Sequence, residues 1–196
     1  MDPSMPLPAE AHHNPLVRLI AVMNAATDAR DSVGDDHRGT RAISETLSAL
    51  SPDRRIYPAE AVQAIERASV EFDAVFDAAD VDTAAEVLNI LLASASATPR
   101  LSNHDGSGWH IHSDRVPFAW RDWFVAGSAL ALAVALSEHG RLGWGRCARP
   151  GCARVFENTG SGAPRIYCSP GCGSRVRVAR QRLQHHTEET ENDRII

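Results

Sequence analysis

All four cysteines of the chain lie near its C-terminus in two pairs, Cys147 with Cys152 and Cys168 with Cys172, and fifteen residues separate the pairs. Two short-range pairs across a hairpin-sized gap are the pattern of a tetrahedral all-cysteine zinc site. Each second cysteine follows the same dipeptide, in Arg149-Pro150-Gly151-Cys152 and Ser169-Pro170-Gly171-Cys172. Proline presets the first central φ of a tight turn and glycine accepts φ > 0 at the second. The sequence therefore predicts one ligand turn made twice, each bringing its flanking thiolates around a metal with backbone N–H groups aimed at sulfur.

Two disulfides are the alternative, and four cysteines allow three connectivities. Against them, the first residues, Met1-Asp2-Pro3-Ser4-Met5-Pro6, have neither the basic n-region nor the apolar h-region of an export signal. The longest largely apolar run, residues 123–136, is fourteen residues and too short to span a bilayer. The expectation is one structural Zn2+ in a cytoplasmic protein with reduced thiols. A closed set of four thiolates leaves no open coordination position.

The net charge of -5 conceals a segregation. Residues 1–140 carry ten arginines against twenty acidic residues, net -10, whereas residues 141–186 carry nine arginines against the single Glu157, net +8. The last ten residues are acidic again, at -3. Four thiolates around Zn2+ would still leave the cysteine region near +6, a basic module beside an acidic one. Every basic residue is arginine. Codon bias explains the residue type but not the clustering, and arginine's planar fork suits phosphate and guanine.

At 196 residues the chain suits one ordinary domain and a small metal-stabilised one. The proline-rich residues 1–14, with His12 and His13, read as a flexible N-terminal arm. Apolar spacing then predicts a helix from Pro15 through Leu16, Leu19, Ile20 and Met23. A short helix over 40–50 follows, stopped by Ser51-Pro52. Pro58 sits at the first turn of a helix whose stripe is Val62, Ile65, Phe72, Val75 and Phe76, and Asp82 is placed to cap a helix through Val87, Leu88, Leu91 and Leu92. Residues 100–113 alternate as a β-hairpin, with Trp109 and Ile111 on the packed face and His110 and His112 on the polar one. A long helix over 117–139 ends at Gly140. The fold class expected is mainly α with a small β-hairpin, α+β, over 15–140, followed by a zinc finger over 141–186 and an acidic disordered tail over 187–196.

The run Arg146-Cys147, Cys152, Val155-Phe156-Glu157, then Tyr167-Cys168 and Cys172-Gly173-Ser174-Arg175 resembles the CGNR zinc-finger family. That signature is a Cys-x4-Cys pair, an apolar-aromatic strand, and a Cys-x3-Cys pair running into Cys-Gly-Asn-Arg and a basic helix. Here Ser174 replaces the asparagine. In that family the finger follows a helical ABATE module, which the helix, hairpin and helix order of 15–140 resembles. Such proteins are regarded as stress-induced transcriptional regulators. The resemblance implies DNA binding by the finger and a ligand or partner sensed by the module.

The geometry expected of the finger is treble-clef-like: a ligand turn, a hairpin joining Val155-Phe156 to Ile166-Tyr167 through Gly160-Ser161-Gly162, then a helix whose start supplies Cys172. At about 100° per residue, Val176, Ala179 and Leu183 share one face of that helix and Arg177, Gln181 and Gln184 the other, flanked by Arg175, Arg180 and Arg182. Arg175, Arg177, Arg180, Gln181, Arg182 and Gln184 are the candidate DNA contacts, arginine for phosphate or guanine and glutamine for adenine. Cys147, Cys152, Cys168 and Cys172 are the candidate zinc ligands.

The remaining candidates read as structure. His104, His110 and His112 lack a carboxylate or cysteine to complete a metal site, Trp120 and Trp123 suit the core, and Asn24 suits a satisfied buried amide. Glu138 and His139 mark a helix end. No nucleophile elbow or His-Glu-x-x-His motif occurs, so no enzyme is expected. The expected partners are DNA, a small-molecule or protein effector on the N-terminal module, and no membrane, with room for a homodimer. The alternative is a zinc-dependent protein-interaction module whose arginines bind an acidic protein.

Overall fold

The structure is a computed structural model and describes residues 14–30, 38–51, 56–96, 98–103, 109–112, 119–158, 160 and 162–192. Residues 1–13 of the expected N-terminal arm and His104 lie outside these residues, as do the side chains of His110 and His112.

Among the described residues, five α-helices precede the first strand: α1 (Pro15–Arg30), α2 (Arg38–Leu50), α3 (Ala59–Val70), the single turn α4 (Asp73–Phe76) and α5 (Val81–Ser94). A two-stranded hairpin, β1 (Arg100–Ser102) with β2 (His110–His112), leads into α6 (Trp120–His139). A second hairpin, β3 (Trp144–Arg146) with β4 (Val155–Glu157), is followed by α7 (Pro170–Asn192). Mainly α with small antiparallel hairpins is the fold class the periodicity predicts. Among the described residues no helix is long and apolar enough to cross a membrane.

The fourteen-residue apolar run becomes the middle of α6, where Phe124, Val125, Ala126, Ala129 and Leu132 are fully buried. A helix apolar on nearly all sides belongs at the centre of a bundle, and α1, α3 and α5 pack around this one. Leu19 and Val22 of α1, Ile43 and Leu47 of α2 and Val62 and Ile65 of α3 complete the core. Trp120 and Trp123 stack edge to face at 5.9 Å inside it, and the buried Arg18 lies over the Trp123 ring at 4.1 Å. Gly140, at φ 60°, closes α6 by donating its N–H to the Leu136 carbonyl, the left-handed cap that favours glycine.

Four local expectations need correction. The helix starting at Pro58 does not reach Phe76. Ser69 Oγ donates to the Glu66 carbonyl at 2.7 Å, a local bond that competes with the helical ladder, and the chain turns before α4. Asp80, not Asp82, caps α5, accepting the Thr83 N–H at 2.8 Å, and that bond holds its carboxyl below the usual range. The first hairpin does not bury its apolar face, since Leu101, Trp109 and Ile111 are all largely exposed. Helix α7 continues through Asn192, into the segment expected to be a disordered tail.

The second hairpin differs most from expectation. Val155 and Phe156 pair with Trp144 to Arg146, and Ile166-Tyr167 forms no strand. The hairpin turn is therefore the Cys147 to Cys152 loop itself, with Cys147 N–H donating to the Arg154 carbonyl across its mouth. Ile166 instead accepts the Ala148 N–H, laying the return segment against the ligand loop. Trp144 decides this arrangement: it is buried beside Phe76 and donates its indole N–H to the Val75 carbonyl at 3.0 Å. A single tryptophan between two glycines carries no period-2 signal, so β3 could not be read from alternation.

Candidate metal centre and basic helix

The hairpin holds Cys147 at the end of β3 and Cys152 beyond the turn, while the segment before α7 and its first turn supply Cys168 and Cys172. The four sulfurs all lie within 4.8 Å of one another. Cys152 Sγ is 3.9 Å from Cys168 Sγ, which is 3.6 Å from Cys172 Sγ. Zn–S bonds of ~2.3 Å in a tetrahedron place sulfurs ~3.8 Å apart, whereas a disulfide needs ~2.05 Å. All four cysteines are free, so the disulfide alternative fails and the donor set fits one structural zinc ion. Residues 144–185 match the CGNR zinc finger family model. A search of curated proteins finds no match to this chain.

The finger makes its doubled turn as the sequence predicts. Cys152 N–H donates to the Arg149 carbonyl at 3.0 Å and Cys172 N–H to the Ser169 carbonyl at 3.1 Å, the same i to i+3 bond in each Pro-Gly-Cys step. Only Gly151 takes positive φ, at 71°. Gly171 remains in the helical region because Pro170 opens α7, which suits a proline at a first helical position. The second turn thus serves as both ligand turn and helix start.

Electrostatics inside the finger divide the thiols. The Ser169 hydroxyl is the largest influence on Cys172, followed among the lowering groups by Cys168, Arg149 and Cys147, and its pKa is lowered to about 6. Burial is the main cause that pushes Cys168 up to about 12, reinforced by its neighbouring cysteines. Burial also opposes ionisation of Cys152, but the Arg154 backbone N–H and the side chains of Cys147, Arg149 and Cys168 outweigh it and leave the thiol below its ordinary value. Arg149 is the cation of this group. Contact with the Cys152 and Cys172 sulfurs raises its own pKa, and its buried Nε has no oxygen or nitrogen partner among the described residues.

Two glycines let aromatic rings close the finger. A Cβ on Gly145 would stand 3.2 Å from the Phe156 ring, and one on Gly173 would stand 3.2 Å from Tyr167. The Arg165 guanidinium lies over the Phe156 ring, 5.2 Å from its centroid, and also donates to the Glu157 carbonyl.

The nine arginines of residues 141–186 separate into two groups. Arg141 donates to the Asn158 and Gly160 carbonyls, Arg146 to Asp73, Asp77 and the Ala153 carbonyl, and Arg154 to Asp28. With Arg149 on sulfur and Arg165 on Phe156, five are engaged in holding the finger together or onto the helices. The other four, Arg175, Arg177, Arg180 and Arg182, are exposed on α7 together with Gln181 and Gln184. Arg177 donates to Ser174 Oγ at 3.0 Å, a contact made by the residue that replaces the family's asparagine.

The predicted apolar face of α7 is largely exposed. Val176 is half-buried, but Ala179 is exposed and Leu183 is 70% exposed. Asn24 is the satisfied buried amide that the sequence suggests, and its partner is Val155 of the finger. Its amide accepts the Val155 N–H at 2.9 Å and donates to the Val155 carbonyl at 3.0 Å, pairing α1 with the open edge of β4. A polar residue inside an otherwise apolar helix was the available signal.

Proposed function

We propose that this chain is a transcriptional regulator that binds duplex DNA through the arginines and glutamines of α7. The observation that carries the reading is the division of the finger's arginines: the acidic helical module engages Arg146 and Arg154 through Asp73, Asp77 and Asp28, and leaves α7 exposed. A helix bearing Arg175, Arg177, Arg180 and Arg182 supplies phosphate and guanine donors, and Gln181 and Gln184 supply the bidentate amide that suits adenine. Zinc would be held by Cys147, Cys152, Cys168 and Cys172, fixing the first turn of α7 to the hairpin. The four thiolates leave no position for a substrate, so the role of the metal in this reading is structural.

The helical module, in this reading, is an ABATE-like sensor for a stress-linked effector. A cleft of about 240 Å³ supports it, lined by Thr27, Ser69 and Asp73 on the helices and by Arg146, Ala153 and Val155 on the finger. A ligand there touches both parts at once. The Asp28, Asp73 and Asp77 carboxylates of the acidic module meet the hairpin of the finger and not α7.

Substitution of the exposed arginines tests the DNA reading. Arg177→Ala and Arg180→Ala should each weaken duplex binding and reduce the salt slope by about one, with zinc content unchanged. Full affinity in both variants removes α7 from the interface.

A further inference from the structure

We infer that α7 is also a self-association surface, and that its partner is α7 of a second copy of this chain lying antiparallel to it. The helix spans Pro170–Asn192, about 34 Å at 1.5 Å per residue. Among the described side chains of α7 the first turns are packed, with Cys172 and Gly173 buried and Val176 half-buried, while residues 177–184 are exposed. Val176, Ala179 and Leu183, at spacings of three and four, form one apolar stripe, and Leu183 is 70% exposed.

Charge along the helix identifies the occupant. The first half carries Arg175, Arg177, Arg180 and Arg182, and the last two turns carry Glu188, Glu189 and Glu191. No glutamate lies three or four residues from any of these arginines, so the spacing offers no i, i+3 or i, i+4 ion pair to offset the two blocks. Both blocks also oppose the macrodipole, with cations near the positive N-terminus and anions near the negative C-terminus. DNA would satisfy the basic block alone and repel the acidic one, and a parallel second copy would set like against like. An antiparallel copy brings each basic block beside an acidic block, opposes the two dipoles, and places Leu183, near the middle of the helix, close to its counterpart. Arg177, Gln181 and Gln184 lie on the helix side away from the stripe, so such pairing leaves them outward.

Sedimentation velocity of the full-length zinc-loaded protein, over a wide range of protein concentration and at two salt concentrations, tests this without DNA present. The expected result is a monomer–dimer equilibrium that loosens as salt rises. Leu183→Glu, at an exposed position, should raise the dimer dissociation constant about tenfold while the protein keeps its zinc. Neutralising the acidic block with Glu188→Gln, Glu189→Gln and Glu191→Gln together should also loosen it. A monomer at every concentration overturns the inference, as does a dimer that salt tightens or that both variants leave unchanged.

Discussion

The Asn24 side chain acts as a strand partner for Val155, accepting its N–H at 2.9 Å and donating to its carbonyl at 3.0 Å across 131 residues of sequence. The pair joins α1 to the outer edge of β4, so the finger's hairpin is a continuation of the helical core. An edge strand buried against a helix leaves peptide groups that need partners, and one amide supplies both. Asn24→Ala should therefore cost about 2 kcal/mol or more, since it strands a buried donor and acceptor together. Denaturant unfolding of the zinc-loaded protein measures this, and faster amide exchange at Val155 should accompany it. A change within a few tenths of a kcal/mol would mean that water satisfies the edge.

Trp144 ties the same two parts through apolar contact. Its ring is 4% exposed and its indole N–H is bonded to the Val75 carbonyl. Truncation to alanine removes a buried aromatic and leaves a cavity, which typically costs about 3 to 5 kcal/mol. Because Trp144 and Val155 both belong to the main hydrophobic core, Trp144→Ala should lower the melting temperature of the entire chain in one transition. A second, separate transition for the finger would contradict the shared core.

Chelation of zinc should affect α7 far more than the hairpin. The metal would fasten the first turn of α7 through Cys168 and Cys172, whereas β3 and β4 are also held by Asn24, Trp144 and the Arg146 and Arg154 ion pairs. The expected outcome is a partial loss of far-ultraviolet helical signal with little change in the fluorescence of the buried tryptophans. Loss of both signals together would show that the hairpin depends on the metal.

In the metal-free molecules whose first turn of α7 stays docked, the thiols give stability a defined pH dependence. Cys172 is lowered from an ordinary 9.0 to about 6, principally by the Ser169 hydroxyl, so between those values the unfolded chain binds the extra proton and stability rises with pH. Cys168 is raised from 9.0 to about 12, principally by burial, so above 9.0 the folded state holds the extra proton and stability falls. These two groups together predict a stability maximum near pH 9 for the chelated, reduced protein. Melting temperatures across that range check it, and Ser169→Ala should flatten the acid side.

Arg149 supplies a positive charge beside the sulfurs of Cys152 and Cys172. Outer contacts of this type typically change metal affinity by about 10 to 100-fold. Arg149→Ala should weaken zinc binding by that order in a chelator competition, with Arg149→Lys recovering part of it. Equal affinity in all three proteins would assign Arg149 to packing alone.

The zinc ligands were legible in the sequence because four cysteines at metal spacing leave few other uses for them. The helices of the core were legible for a similar reason, since Leu16, Leu19 and Met23 or Val62 and Ile65 repeat at one helical face. What local pattern could not supply were pairings across long separations. Val155 is opposite Arg146 instead of the return segment because Trp144 fits a site on α4, and no nearby residue announces that contact. The cap of α5 was misplaced by two residues because Asp80 and Asp82 offer the same chemistry, and only backbone geometry at Asp80 chooses between them. The stripe of α7 follows helical period correctly, yet period alone does not say whether a partner covers it.

The most direct test of the account is duplex-DNA affinity of the reduced full-length protein as a function of salt, measured with zinc bound and again after chelation. The account predicts one zinc per chain, binding whose logarithm falls linearly with the logarithm of salt concentration at a slope of about -0.9 for each phosphate neutralised, and loss of that binding on chelation. Zinc-loaded protein that fails to bind duplex DNA at low salt, or that binds equally well without the metal, would contradict it.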